Sequence, residues 1–74
     1  MTKNVLDKIF AVYDDLYEAE KKIATYILNN QEQVIEMTVS SLASASGASE
    51  ATIIRFCKKC GYKGFHDLKM NIAK

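Results

Sequence analysis

The chain has 74 residues, of which 49% are hydrophobic and 26% are charged. This balance is typical of a globular domain and excludes a disordered tail, and the length allows one domain or one part of a longer protein. The formal net charge of +1 does not by itself indicate a polyanionic partner. No apolar run approaches the roughly 20 residues that span a bilayer. Residues 1–10 lack the apolar core of a secretory signal, so we expect a cytoplasmic protein without a membrane anchor.

Charge is divided unevenly along the chain. Residues 1–37 hold four Lys and seven Asp or Glu, a balance of −3, whereas residues 38–74 hold six Lys or Arg and two acidic residues, a balance of +4. A basic half favours contact with a polyanion. Uneven charge is also common by chance in short chains. Charge alone therefore leaves nucleic-acid binding and an ordinary solvated surface both open.

The first half of the chain has helical periodicity. Val5, Ile9 and Tyr13 fall at helical spacing and predict a first helix over roughly residues 3–13. The apolar stripe within EAEKKIATYILNN, with acidic residues in its first turn, predicts a second helix over about residues 17–29. The segment QEQVIEM predicts a short turn of helix that ends near Met37.

The second half has clear helix start and stop signals. Thr38 predicts the N-cap of a helix over Val39–Ser46, and Gly47 permits the positive φ of a tight turn. Ser49 predicts the N-cap of a further helix that runs to about Cys60. The segment FHDLKMNIAK predicts a last helix. All these elements are helical, so the predicted fold is all-α, a compact bundle of about five short helices.

Two of these helices, on either side of Gly47, are typical of a helix-turn-helix. Ala43 is small enough to let the two helices cross closely. At a helical step of 100° per residue, the second helix of the pair is amphipathic. Its apolar face holds Ile53, Phe56, Cys57 and Cys60. Its opposite, polar and basic face holds Ala51, Thr52, Arg55, Lys58 and Lys59. A helix that reads the DNA major groove needs this division, although an amphipathic helix with a merely solvated outer face would also show it.

The polar face suggests specific contacts with double-stranded DNA. Arg55 can donate two hydrogen bonds to guanine O6 and N7, and Thr52 can bond a base or touch a thymine methyl. The amides of residues 49–51 can hold a phosphate, whereas Glu50 would repel one unless it accepts from cytosine N4. The predicted DNA-binding set is Thr38, Ser49, Glu50, Ala51, Thr52, Arg55, Lys58, Lys59 and Lys63, in which the three lysines contact phosphates.

The stretches AEKKIATYILNN and MTVSSLASASGASEATIIRFCKKCGYKGFHDLK resemble the N-terminal domain of RpiR-type bacterial transcriptional regulators. The resemblance covers about residues 6–72, with departures at Tyr17, where the family often has a Thr or Ser cap, and at Cys60, which replaces a common Leu. It implies operator binding by a homodimer and control of carbohydrate genes. It also implies that residues 1–74 are a fragment, and that a sugar-isomerase-type sensory domain absent here binds a phosphosugar effector.

Other polar and reactive residues have simpler interpretations. Cys57 and Cys60 form a C-x-x-C, but a structural zinc site needs four ligands and the chain has only two Cys and one His, so we expect core packing. His66 is predicted to be exposed or capping, and Asp14 and Asp15 to be turn or cap residues. Most of the aromatic residues are predicted to lie in the core, with Tyr17 and Tyr62 unassigned. We expect no enzyme activity, no cofactor and no metal.

A second function remains open at this point. A helix-turn-helix shape does not fix function, so the chain could be a helical protein-interaction module that does not bind DNA. Its docking surface would then be the apolar side of the first helix, formed by Val5, Ile9 and Tyr13.

Overall fold

The computed structural model describes residues 4–74, and all regular structure in that range is helical. Six α-helices occur there: α1 (Val5–Val12), α2 (Glu18–Asn29), α3 (Gln31–Ile35), α4 (Val39–Ser46), α5 (Glu50–Lys59) and α6 (Phe65–Ala73). A 3₁₀ turn over Tyr13–Asp15 joins α1 to α2. The all-α prediction is confirmed. In that range the structure has one helix more than the five predicted, namely α3, which the sequence predicted only as a turn of helix.

The helix boundaries agree with the predicted ones to within two residues where the structure describes them. Residue 3, the predicted start of the first helix, lies outside the described residues. The described helix begins after Asn4, whose Oδ1 accepts a hydrogen bond from the Asp7 backbone N–H at 2.9 Å. In the second half of the chain, α5 ends at Lys59, one residue before Cys60, and Gly61 follows with a φ of 93°. Such a positive φ favours glycine.

The hydrophobic core takes side chains from every helix. Helix α2 packs against α4 and α5, and α6 packs against α1, α3 and α5. The buried hydrophobic residues are Val5, Ile9, Leu16, Ile23, Ala24, Ile27, Val34, Leu42, Ala43, Ile53, Phe56, Cys57, Cys60, Tyr62, Phe65 and Leu68. This arrangement fixes α5 by one face and leaves its other face at the surface. Among residues 4–74, no helix combines the length and apolar character needed to cross a membrane.

Helix α1 differs from the prediction in which residues it exposes. Val5 and Ile9 are 3% and 0% exposed, and Tyr13 is half-buried, so the docking surface predicted from these residues is wrong. Phe10 is 64% exposed and is thus an exception to the prediction that most of the aromatic residues lie in the core. The reason is the helical step of 100° per residue, which turns Phe10 away from the line through Val5 and Ile9 that faces the core.

Candidate nucleic-acid interface

The turn between α4 and α5 is built from local hydrogen bonds. Gly47 has a φ of 74° and a ψ of 25°, the left-handed conformation expected from the sequence. The backbone N–H groups of Gly47 and Ala48 both donate to the carbonyl of Ala43, the second at 3.0 Å. These bonds satisfy a carbonyl at the end of α4 that would otherwise lack a partner, and they fix the direction in which α5 leaves the turn.

Helix α5 starts at a side-chain cap. The Ser49 hydroxyl oxygen accepts from the backbone N–H of Thr52 at 3.1 Å and lies 2.7 Å from the Thr52 hydroxyl oxygen. The predicted N-cap is therefore confirmed. The same hydroxyl is already engaged within the protein, so the backbone N–H groups of Glu50 and Ala51 are the donors that the first turn of α5 still presents to a ligand.

Helix α5 has one buried and one exposed face. Ile53, Phe56 and Cys57 are fully buried in the core. The exposed residues of the helix are Glu50, Ala51, Arg55, Lys58 and Lys59, and Thr52 is half-buried. The structure thus brings the predicted base-reading residues together on one surface, with their backbone held by the buried stripe on the opposite side. We call this exposed surface the α5 face.

Lys59 is held differently from the other predicted phosphate contacts. Its Nζ lies 2.8 Å from Oε1 of Glu20 in α2, and 4.4 Å from the centroid of the Tyr17 ring. Its side chain is 35% exposed, whereas that of Glu20 is 3% exposed. Lys59 is therefore the partly exposed cation of an ion pair with a buried carboxylate, a pair that ties α2 to α5, and its charge is already balanced within the protein.

Glu20 lies beside this surface, and the sequence did not reveal its role. It was predicted only as an acidic residue in the first turn of α2, but it is buried and also accepts from the Tyr17 backbone N–H at 2.8 Å. Burial by itself raises the pKa of its carboxyl, yet the hydrogen bonds from Lys59 and Tyr17 and the charges of Lys59 and Arg55 together lower the pKa below its ordinary value of 4.5. Glu20 is thus a stabilised carboxylate beneath the edge of the α5 face.

Two predicted residues lie outside α5 and its cap. Thr38 is exposed at the start of α4, where its hydroxyl oxygen accepts from the backbone N–H of Ser41 at 3.0 Å. Lys63 is exposed in the turn between α5 and α6, and its backbone N–H donates to Oδ2 of Asp67 at 2.9 Å. This hydrogen bond confirms the predicted capping role of Thr38. Lys63 lies just beyond the C-terminal end of α5, and its ammonium has no ion-pair partner among residues 4–74.

The two cysteines pack in the core as predicted. Cys57 and Cys60 are free thiols, 0% and 5% exposed. Burial raises the pKa of Cys57 to about 12 and that of Cys60 to about 11, so both remain neutral thiols at physiological pH. Among the described residues no group of three or more His, Cys, Asp or Glu side chains is placed to hold a metal ion.

The structure also locates the other residues that the sequence analysis considered. His66, Asp14 and Asp15 are exposed, as predicted for turn or surface residues. Tyr62 is buried, with the ammonium of Lys8 4.6 Å from its ring centroid. Tyr17 is 72% exposed and stands beside the α5 face.

Comparison with known proteins gives consistent matches over almost the whole chain. The family model described as the helix-turn-helix domain of the rpiR family matches residues 3–74. The HTH-type transcriptional regulator HexR of Pseudomonas aeruginosa is 39% identical over 72 residues, which are 97% of this chain and 25% of HexR. The chain thus spans about a quarter of the length of that curated relative.

Solved structures show the same fold. The N-terminal domain of the regulator ybbH from Bacillus subtilis superposes with a TM-score of 0.90 at 39% identity, covering 97% of this chain and 88% of that one. The Vibrio vulnificus NanR protein, solved in complex with ManNAc-6P, gives a TM-score of 0.90 at 34% identity, covering 95% of this chain and 26% of NanR. The chain belongs to the rpiR family of helix-turn-helix domains, which are parts of transcriptional regulators.

Proposed function

We propose that this domain binds operator DNA sequence-specifically, with α5 in the major groove. The observation that carries the proposal is the α5 face. A helix fixed by Ile53, Phe56 and Cys57 presents Arg55 and neighbouring polar residues on its opposite side. The major groove of B-DNA admits one helix whose outer face carries such donors.

Base reading is assigned to the first two turns of α5. Arg55 is exposed and donates to guanine O6 and N7. Because the Thr52 hydroxyl already lies 2.7 Å from Ser49 Oγ, Thr52 approaches a thymine mainly through its methyl group, as does Ala51. Glu50 accepts from cytosine N4. These roles support specificity for a mixed sequence rather than for one repeated base.

Phosphate contacts are assigned to residues around that helix. Lys58 and Lys63 are exposed, and neither has an ion-pair partner among residues 4–74. Thr38 and the amides of residues 49–51 add neutral donors. Lys59 contributes less to phosphate binding than Lys58 does, because Glu20 already balances its charge.

The whole regulator is proposed to act in the cytoplasm as a homodimer on a two-fold operator and to control sugar or phosphosugar metabolism genes. Its sensory domain, of the sugar-isomerase type, would bind the phosphosugar effector. The complex of the Vibrio vulnificus NanR protein with ManNAc-6P supports this effector class. The greater length of the relatives supports a further domain, and two-fold operators mirror protein dimers.

The test is selection of preferred duplexes from a random pool, followed by titration of the selected and an unrelated duplex. Arg55→Ala should cost roughly 1–3 kcal/mol on the selected duplex and relax preference at one base pair. Arg55→Lys is the matched control, because it keeps the charge but loses the bidentate geometry, and it should also lose that preference. Lys58→Ala should weaken both duplexes alike and reduce the salt slope by about one. Equal binding by the wild type, Arg55→Ala and Lys58→Ala would overturn the proposal.

A further inference from the structure

Tyr17 is a large aromatic residue held at the surface, and its hydroxyl has no role in the fold. It is 72% exposed and stands at the N-cap position of α2, where its side chain makes no capping hydrogen bond. Its hydroxyl makes no hydrogen bond within residues 4–74. An exposed aromatic ring with an unused hydroxyl at its end is suited to contact a partner that presents a charged, solvated surface.

The ring is nevertheless held in place. The Tyr17 backbone N–H donates to Oε1 of the buried Glu20 at 2.8 Å, and the same oxygen accepts from Lys59 Nζ at 2.8 Å. The Lys59 ammonium then lies 4.4 Å from the Tyr17 ring centroid, within the range of a cation–π interaction. We call Tyr17, Glu20 and Lys59 the Tyr17 cluster. It joins the start of α2 to the last turn of α5.

The Tyr17 cluster stands at one edge of the α5 face. Lys59 follows Arg55 by four residues and Thr52 by seven, so at 100° per residue the three side chains leave the helix within about 60° of one another. Arg55 also lies close enough to Glu20 for its charge to act on the carboxylate. The Tyr17 ring therefore borders the side of α5 that carries the main base-reading residue.

We propose that Tyr17 is a further DNA-contact residue, whose phenolic hydroxyl donates a hydrogen bond to a backbone phosphate beside the groove occupied by α5. Tyrosine hydroxyls are among the neutral donors that position proteins on the phosphate backbone. Lys59 is the positioning residue of this contact, because it holds the ring and is itself neutralised by Glu20. The inference rests on the proposed function, since it needs α5 to dock on DNA.

A neutral donor has a signature that a lysine contact does not share. Removing the hydroxyl takes away one hydrogen bond to a charged phosphate. It does not change the number of counterions that the protein displaces from the DNA, so the slope of log affinity against log salt should stay unchanged. The ring of a Tyr17→Phe variant still covers the Glu20–Lys59 pair. Because the hydroxyl has no bond within the described chain, this variant should also keep the wild-type melting temperature.

The experiment measures binding of the 74-residue chain to a short labelled duplex of arbitrary sequence by fluorescence anisotropy at several salt concentrations. Tyr17→Phe should weaken binding about fivefold with an unchanged salt slope. The matched control is Tyr26→Phe, which removes a hydroxyl from a half-buried tyrosine near the opposite end of α2 and should bind as the wild type does. Arg55→Ala and Lys58→Ala are measured in the same series.

The outcomes separate the two proposals. If Arg55→Ala or Lys58→Ala weakens binding but Tyr17→Phe equals the wild type, the phenol contact is wrong and Tyr17 serves only to cover the ion pair. An equal loss in Tyr17→Phe and Tyr26→Phe would also overturn it. If none of these variants differs from the wild type, the docking of α5 on DNA fails, and the Tyr17 contact fails with it.

Discussion

The helix pair α4–α5 and the N-terminal segment from α1 to the first turn of α2 are stabilised in different ways. In the pair, the caps are made inside the pair: Thr38 bonds Ser41 and Ser49 bonds Thr52, each across three residues. The N-terminal segment also has a local cap at Asn4, but its buried Glu20 bonds Lys59 of α5 across 39 residues. Local bonds follow from residue spacing, so the sequence predicts them. The Glu20–Lys59 pair depends on how α2 packs against α5, so the sequence does not predict it.

The largest expected difference between the regions concerns two residues of the same type. Phe56 in α5 is fully buried, and Phe10 in α1 is 64% exposed. Phe56→Ala should lower the free energy of unfolding by about 4 kcal/mol, since it leaves a cavity in the core. Phe10→Ala should change it by less than about 0.5 kcal/mol. Urea unfolding followed by circular dichroism measures both, and similar losses would contradict the described packing of α1.

The next comparison uses two neighbouring lysines. Lys59→Ala leaves the buried Glu20 carboxylate without its partner and should cost about 2 kcal/mol, below the upper range for buried pairs because the lysine is partly exposed to water. Lys58→Ala, at an exposed position, should cost less than about 0.5 kcal/mol. Adding Glu20→Gln to Lys59→Ala should restore part of the loss. If the two single lysine variants are equally stable in urea, the ion pair does not join the two regions.

The smallest expected effect is a dependence of stability on acid. The folded protein holds the pKa of Glu20 below its ordinary value of 4.5, so the unfolded chain takes up the proton first as pH falls. The stabilisation from ionised Glu20 is fully present above pH 4.5 and is lost as pH falls through the lower folded pKa. The urea midpoint should therefore fall less steeply with acid in Glu20→Gln than in the wild type. Glu18→Gln, an exposed change in the same helix, is the control, and identical profiles for all three proteins would contradict the lowered pKa of Glu20.

The sequence predicted the parts of the molecule that depend on neighbouring residues. Thr38, Gly47 and Ser49 identified both ends of α4 and the start of α5, and the 100° period identified which side of α5 is buried. The same period did not show which line of α1 faces the core, because Phe10 and Ile9 are both apolar and only the packing of α1 against the rest of the bundle decides between them. Nor did it show the partner of Lys59, because pairing across 39 residues is set by the packing of α2 on α5. The DNA contacts assigned to the α5 face remain predictions.

The measurement that tests the docking of α5 on DNA most directly is a heteronuclear NMR titration of the labelled chain with a short duplex of arbitrary sequence at low salt. It detects the weak, non-specific binding expected of a single half-site reader. We expect shifts at Thr38, Ser49–Arg55 and Lys58–Lys63 that fade as salt rises, while the amides around Phe10 in α1 stay in place. An unchanged spectrum, or shifts confined to α1, would contradict the docking of α5 on DNA.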